Sequence, residues 1–202
     1  VKYSGEISLI TAHLPAIYLA SDSPRRQELL RQIGVEFSVV SHQVDEQRLP
    51  QESAEAMVQR LALAKAQNAA HRLVDKPQRP VLGADTIVVI GGEILGKPVD
   101  QADALRMLAL LSGRTHQVLS AIAVVNAQKI THRLNINYVT FAEITFEQSL
   151  AYWQTGEPAD KAGAYGVQGM ASIFIKHIEG SYSGVMGLPL YETYTLLHNL
   201  IL

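Results

Sequence analysis

The chain has 202 residues, enough for one large domain or two small ones. Its 48% hydrophobic and 18% charged content fits a folded soluble protein, and a net charge of −2 leaves no global basic field to recruit nucleic acid. The absence of cysteine excludes disulfides, thiolate metal sites and cysteine nucleophiles, and is compatible with a reducing cytosol.

Residues 1–16 contain Ile7, Leu9 and Ile10 but are broken by Ser8, Thr11, His13 and Pro15. They lack the basic start and continuous apolar run of a signal peptide. Because the first residue is not Met, this segment is expected to be a disordered, processed or appended extension without a functional role. No apolar run approaches the length of a membrane span.

From Ile17 onward, strand-like and helical patterns alternate, which argues for an α/β protein. Ile17–Ala20 reads as the first strand. Ser23 suits an N-cap and Pro24 the first helical position, so a helix is expected from Pro24 to Ile33, stopped by Gly34. Arg25 and Arg26 fall in its first turn, where the N–H groups already make the field positive. Exposed cations there are disfavoured by about 0.3–1 kcal/mol each. Strand end, serines, helix N-terminus and two guanidinium forks together describe a phosphate cradle.

Val35–Val40 reads as a second strand, and Ser41–Pro50 as a polar loop holding Asp45 and Glu46. Adjacent carboxylates in such a loop are ordinarily solvated. They gain interest only if Asp85 is near, since Mg²⁺ is commonly held by one or two carboxylates plus substrate phosphates. A long helix is expected from about Ser53 to Leu73, with Met57, Leu61 and Ala64 on one face. Lys65, at the edge of that face, reads either as a snorkelling lysine or as a cation turned to a ligand.

Val81–Ile90 is an apolar strand interrupted by Gly83, Asp85 and Thr86. A carboxylate there is costly unless paired or metal-bound, so Asp85 is a functional candidate, a strand-end cap or half of an ion pair. Gly91-Gly92 marks a hairpin pairing Ile90 with Glu93 and, by extension, Thr86 with Lys97, which would return Lys97 toward Asp85.

Asp100 caps the next helix and Gly113 ends it. Thr115–Val125 and Ile130–Ile144 are β-rich, and Thr145 with Gln148 forms a capping box for a helix ending near Gly156. Glu157–Gly169 reads as a Gly-rich loop, either an ordinary turn or a close approach to a ligand. Within it Gln168 carries the donor and acceptor atoms that a nucleobase edge requires. Ile173–Ile178 reads as a strand and Pro189–Leu202 as a closing helix. Successive strands make the sheet mixed, and no linker or repeat divides the chain. A single domain with a cleft between two lobes is expected. The seven histidines show no HxxxH spacing on a helix, and P-loop, GxGxxG and GxSxG motifs are absent.

Several fragments match one pattern. Leu19-Ala20-Ser21-Asp22-Ser23-Pro24-Arg25-Arg26 resembles the N-terminal signature of the Maf family. So do Val44-Asp45-Glu46, Arg60-Leu61-Ala62 with Lys65-Ala66, Gly83-Ala84-Asp85-Thr86, Leu95-Gly96-Lys97-Pro98, Leu111 to His116, Asp160 to Gly169, and Gly187 to Leu190. The resemblance covers residues 17–202 and leaves 1–16 outside.

It implies a nucleoside triphosphate pyrophosphatase with an elongated mixed sheet, helices on its faces and a central cleft, similar to the inosine triphosphate pyrophosphatases. It also implies a divalent cation, Mg²⁺ or Mn²⁺, and a cytoplasmic protein of a family whose members are often homodimers. Asp85 would be the catalytic base and, with Glu46, a metal ligand. Ser21, Arg25, Arg26, Lys65 and Lys97 would hold the triphosphate. Arg25, Thr86 and Gln168 match the branch acting on dTTP and UTP, where the 7-methyl-GTP branch typically has Trp, Gln and Glu. The alternatives are a non-catalytic nucleotide-binding regulator of cell division, as the family has been called a septum formation inhibitor, and a pyrophosphatase for purine triphosphates such as ITP. Asp22 departs from the family by adding a negative charge beside the cradle, and Gly184 and Met186 vary a segment outside the discriminating positions.

Overall fold

Strand β1, Ile17–Ala20, is buried along its whole length and pairs in parallel with a neighbour on each side. One neighbour is β2, Phe37–Val39, in the register Ile17 to Phe37. The other is β3, Val81–Ile90, in the register Ala20 to Gly83. The computed structural model describes residues 14–73, 76–127 and 129–201; residues 1–13 of the expected extension lie outside the described residues.

The further elements are helix α1, Pro24–Gln32; α2, Ala54–His71; strand β4, Glu93–Leu95; α3, Gln101–Leu111; β5, Thr115–Asn126; β6, Lys129–Phe141; and α4, Phe146–Gln154. Strand β7, Ile175–Glu179, and helices α5, Tyr182–Met186, and α6, Leu190–His198, follow among the described residues. The strands form one mixed seven-stranded sheet in the order β2-β1-β3-β5-β6-β7, with β4 paired to β3. The β3–β4 and β6–β7 pairs are antiparallel. The α/β class is as expected.

The described chain divides into two compact units. The first comprises residues up to Asp85 together with Ser120–Asn135 and Gly187–Leu202. Its core is built from β1, Leu29 and Leu30 of α1, Val58, Leu61, Ala62 and Ala66 of α2, Leu82, Ile122 and Leu197. The second comprises Thr86–Leu119 and Ile136–Met186. Its core gathers Val88, Leu95, Met107, Leu108, Leu111, Phe141, Tyr152, Tyr165 and Phe174.

Three local expectations change. Ser23 occupies the N-cap of α1, but its side chain makes no cap hydrogen bond. The hairpin turns at Gly91-Gly92 and pairs Ile90 with Glu93, yet its ladder stops at Val88–Leu95 and does not reach Thr86–Lys97. The carbonyl of Gly96 instead accepts from the N–H of Gly163 at 3.0 Å. The Gly-rich segment after α4 is not an open loop: it folds into 3₁₀ turns at Glu157–Asp160, Ala162–Ala164 and, just beyond it, Met170–Phe174. This last turn takes the residues expected to begin β7. The capping box of Thr145 and Gln148 forms as expected.

Gly83 decides how closely α2 lies on β3. A Cβ there would stand 2.3 Å from the Ala62 carbonyl oxygen and 2.6 Å from the Ala66 nitrogen, both backbone atoms of α2. Neither can swing aside, so Gly83→Ala forces helix and strand apart. Overpacking of this kind costs about 1–3 kcal/mol. Thermal melting followed by circular dichroism should show a clearly lowered midpoint for this variant; an unchanged midpoint would contradict the close approach.

Candidate functional site

In the first unit the site begins where β1 ends. Ser21 is buried, and its Oγ accepts from the Ser23 N–H at 3.3 Å and from Arg26 Nη1 at 3.0 Å. The serine that shapes the turn is therefore Ser21, two residues upstream of the expected cap. Pro24 holds the first helical position, and Arg26, two residues on, also donates from Nε to the Gly187 carbonyl at 2.8 Å. The contact with Gly187 joins positions 161 residues apart and carries no local sequence signal.

Lys65 leaves the buried face of α2 and is itself buried, with 5% exposure. Its Nζ lies 2.7 Å from Asp85 Oδ1 and 2.7 Å from Glu46 Oε1. The Asp85 side chain is 10% exposed and that of Glu46 56%, so one carboxylate is sunk in the unit and the other reaches solvent. Asp85 thus has an ion-pair partner 20 residues away on the adjoining helix, and Lys65 is no snorkelling surface lysine.

The loop carrying Glu46 is fastened at Gln47, the residue that follows it. Asp45 Oδ1 accepts from the Gln47 N–H at 2.9 Å. Arg60 of α2 grips both carboxylate oxygens of Glu52, at 2.6 and 2.8 Å, and donates to the Gln47 carbonyl at 3.0 Å. The Arg60 hydrogen bond holds the Glu52 carboxyl down at about 2. Arg60 stands inside one of the family-like fragments, but nothing in its sequence neighbourhood points to this clamp.

The charges of this unit act on one another. Burial lowers the pKa of Arg26, opposed first by the charge of Asp85 and, less strongly, by that of Glu46, while Arg25 adds to the lowering. Burial also lowers His42, helped by Lys65 and Arg26 and opposed by Asp22 and Glu46. Positive charge from Arg25, Arg26 and Lys65 and negative charge from Asp22, Glu46 and Asp85 are thus felt at the same groups. The structure brings together Ser21, Arg25, Arg26, Glu46, Lys65 and Asp85 from the expected set.

Among the described residues no group of three or more His, Cys, Asp or Glu side chains is disposed to hold a metal. Glu46 and Asp85 do converge on one point, the Lys65 ammonium. That point is filled by the ammonium, so a divalent cation here would have only these two carboxylates and substrate oxygens as donors.

Thr86, Lys97 and Gln168 belong to the second unit. Thr86 is half-buried on β3, Lys97 is exposed after β4, and Gln168 is exposed between the buried residues 163–167 and the turn at Met170. Behind that segment His116 Nε2 lies 2.8 Å from the Tyr165 hydroxyl. Both rings meet Phe141 edge-on, with centroids 5.0 and 4.8 Å away. In the sequence His116 shows only as the end of a family-like fragment; its burial comes from β5.

A family model described as Maf-like protein matches residues 16–200. A curated relative from Saccharophagus degradans, named dTTP/UTP pyrophosphatase, is 52% identical over 182 residues, covering 90% of this chain and 87% of the relative. A second of the same name, from Shigella dysenteriae, is 51% identical over 186 residues, covering 92% and 93%. Among solved structures, that of the Staphylococcus aureus Ham1 protein aligns with a TM-score of 0.43 at 17% identity, covering 65% of this chain and 72% of that one.

His116 also sets a pH dependence. Burial pushes its pKa from 6.5 down to about 4, so the folded chain keeps it neutral where the unfolded chain protonates it. Its contribution to stability is complete above about pH 6.5 and is lost as the pH falls toward 4. Urea midpoints measured across this window should fall more steeply for the native chain than for His116→Gln; equal slopes would contradict a buried neutral imidazole.

Proposed function

This chain belongs to the Maf-like protein family, and from that premise we propose that it hydrolyses dTTP and UTP to the nucleoside monophosphate and pyrophosphate. Two relatives at about half identity over nine-tenths of the chain carry that name. The observation that carries the reading is the convergence of Asp85 and Glu46 on Lys65 beside the Ser21–Arg26 turn. Ser21, Arg25, Arg26 and Lys65, together with Lys97, bind the triphosphate, with the N–H groups opening α1 adding to the anion site. Asp85 positions a water for in-line attack on the α-phosphorus and takes its proton. Glu46 and Asp85 would hold a divalent cation, Mg²⁺ or Mn²⁺, which would supply charge neutralisation at the phosphate oxygens.

Arg25, Thr86 and Gln168 select the pyrimidine. The Gln168 amide can donate to a ring carbonyl and accept from the imide N–H, a pairing available to thymine and uracil. The protein acts on free nucleotides in the cytoplasm as a homodimer that cleanses the nucleotide pool. Among the described residues no helix is long and apolar enough to cross a membrane.

Asp85→Asn keeps a hydrogen-bonding group facing Lys65 and removes the base. Its turnover of dTTP should fall by about 10²–10⁴-fold with circular dichroism unchanged. The assay is pyrophosphate release with Mg²⁺ across a panel of nucleoside triphosphates, each repeated after chelation, which should abolish turnover. Near-native turnover by the variant would remove Asp85 from the chemistry. Absence of pyrophosphate from every nucleotide with the native chain would overturn the enzyme reading altogether.

A further inference from the structure

The segment that presents Gln168 is held by a latch formed from two side chains outside the expected site. The Tyr152 hydroxyl donates to Glu157 Oε1 at 2.6 Å and accepts from the Gly166 N–H at 3.2 Å. The other carboxylate oxygen, Glu157 Oε2, accepts from the Met170 N–H at 2.9 Å. Gly166 and Met170 each stand two residues from Gln168, one on either side. The span between them is tied off by a hydrogen bond from the Gly169 N–H to the Gly166 carbonyl at 3.1 Å.

Sequence and geometry agree that this grip is built in. A Cβ at Gly169 would lie 2.3 Å from both Glu157 carboxylate oxygens, and one at Gly166 would lie 3.3 Å from Oε1 and 2.7 Å from the Lys161 side chain. The two glycines therefore make room for the Glu157 carboxylate and for the Lys161 side chain. Lys161 Nζ in turn donates to the Glu157 carbonyl at 2.7 Å. Tyr152 is buried and set edge-on against Phe174, with ring centroids 5.7 Å apart, so its hydroxyl cannot swing away. Burial and the Glu157 partner both push the phenol well above its ordinary range, which keeps the donor proton in place.

We infer that Tyr152 and Glu157 are positioning residues for pyrimidine selection, fixing the Gln168 backbone from both sides so that its amide meets the base in one orientation. The inference rests on the reading that Gln168 contacts the base. An amide pair discriminates only when donor and acceptor are held in register, and a displacement of about 1 Å weakens such a contact steeply. The latch differs from the phosphate and base-activation groups in that it touches no reacting atom.

The test is steady-state kinetics of the full-length protein on dTTP and dCTP, which share the triphosphate and differ at the face Gln168 would read. Tyr152→Phe retains the ring and removes the hydroxyl. It should raise KM for dTTP about tenfold with kcat changed less than about twofold, and should lower the dTTP/dCTP ratio of kcat/KM by about tenfold. Glu157→Gln, which keeps one acceptor but loses the second, should move the ratio the same way. Gln168→Ala should lower the ratio by itself, and adding Tyr152→Phe to it should change the ratio no further.

If Gln168→Ala shifts the ratio and neither latch variant does, the latch is overturned while base reading by Gln168 stands. If Gln168→Ala leaves the ratio unchanged, base reading fails and the inference fails with it. Loss of kcat on both nucleotides in parallel with a lowered melting midpoint, at constant ratio, would assign the pair a structural role only and overturn positioning.

Discussion

The Lys65 ammonium lies 2.7 Å from Asp85 and 2.7 Å from Glu46 while nearly shielded from water. Asp85 sits on a strand whose neighbours are almost all buried, and a carboxylate there needs a charged partner. Lys65 supplies it only because α2 lies close against β3, and α2 lies close because Gly83 has no side chain to hold it off. Ala62 and Ala66, which flank Lys65 on the helix, are fully buried and small. Leaving a buried charge without any partner costs about 3–5 kcal/mol; Lys65 is held by two carboxylates, so the three groups tie helix, strand and loop together.

The loop that brings Glu46 to the same ammonium is secured by the Arg60–Glu52 fork, which springs from the same helix. One helix thus supplies both the cation that collects the carboxylates and the clamp that delivers one of them. Around this centre Asp22, Asp85 and Glu46 act against the positive charges of Arg25, Arg26 and Lys65. On the proposed function, a triphosphate would bring negative charge that Arg25, Arg26 and Lys65 only partly offset. The two carboxylates would then be the means by which a divalent cation makes up the difference.

Much of this was legible in the chain. Strand β1, the Pro24 start of α1, strand β3, the Gly91-Gly92 turn and the Thr145–Gln148 capping box depend on residues close in sequence, and each falls where its local signal puts it. The anomalies of charge were legible as well: two arginines in a first helical turn and a carboxylate in an apolar strand marked residues that the fold does use together. Distant pairings were not. Lys65 and Asp85 are 20 residues apart on different elements, and a lysine at the edge of an apolar helix face looks the same whether it snorkels or pairs. The Glu157–Gly169 segment was legible only as a Gly-rich loop. Its glycines suggest an ordinary turn or a close approach to a ligand, whereas two of them let the Glu157 carboxylate and the Lys161 side chain approach the backbone, which shows only once α4 and the 3₁₀ turns are folded. Ser21 outranks Ser23 because Arg26 turns back onto it, a contact that capping preferences do not encode.

At the centre of the proposed chemistry is a water directed by Asp85 at the α-phosphorus of a pyrimidine nucleoside triphosphate. Hydrolysis of dTTP in ¹⁸O-labelled water, with mass spectrometry of both products, tests it most directly. Attack at that atom predicts label in dTMP and none in the pyrophosphate. Label in pyrophosphate, or release of labelled inorganic phosphate with dTDP, would place the attack on another phosphorus and contradict it.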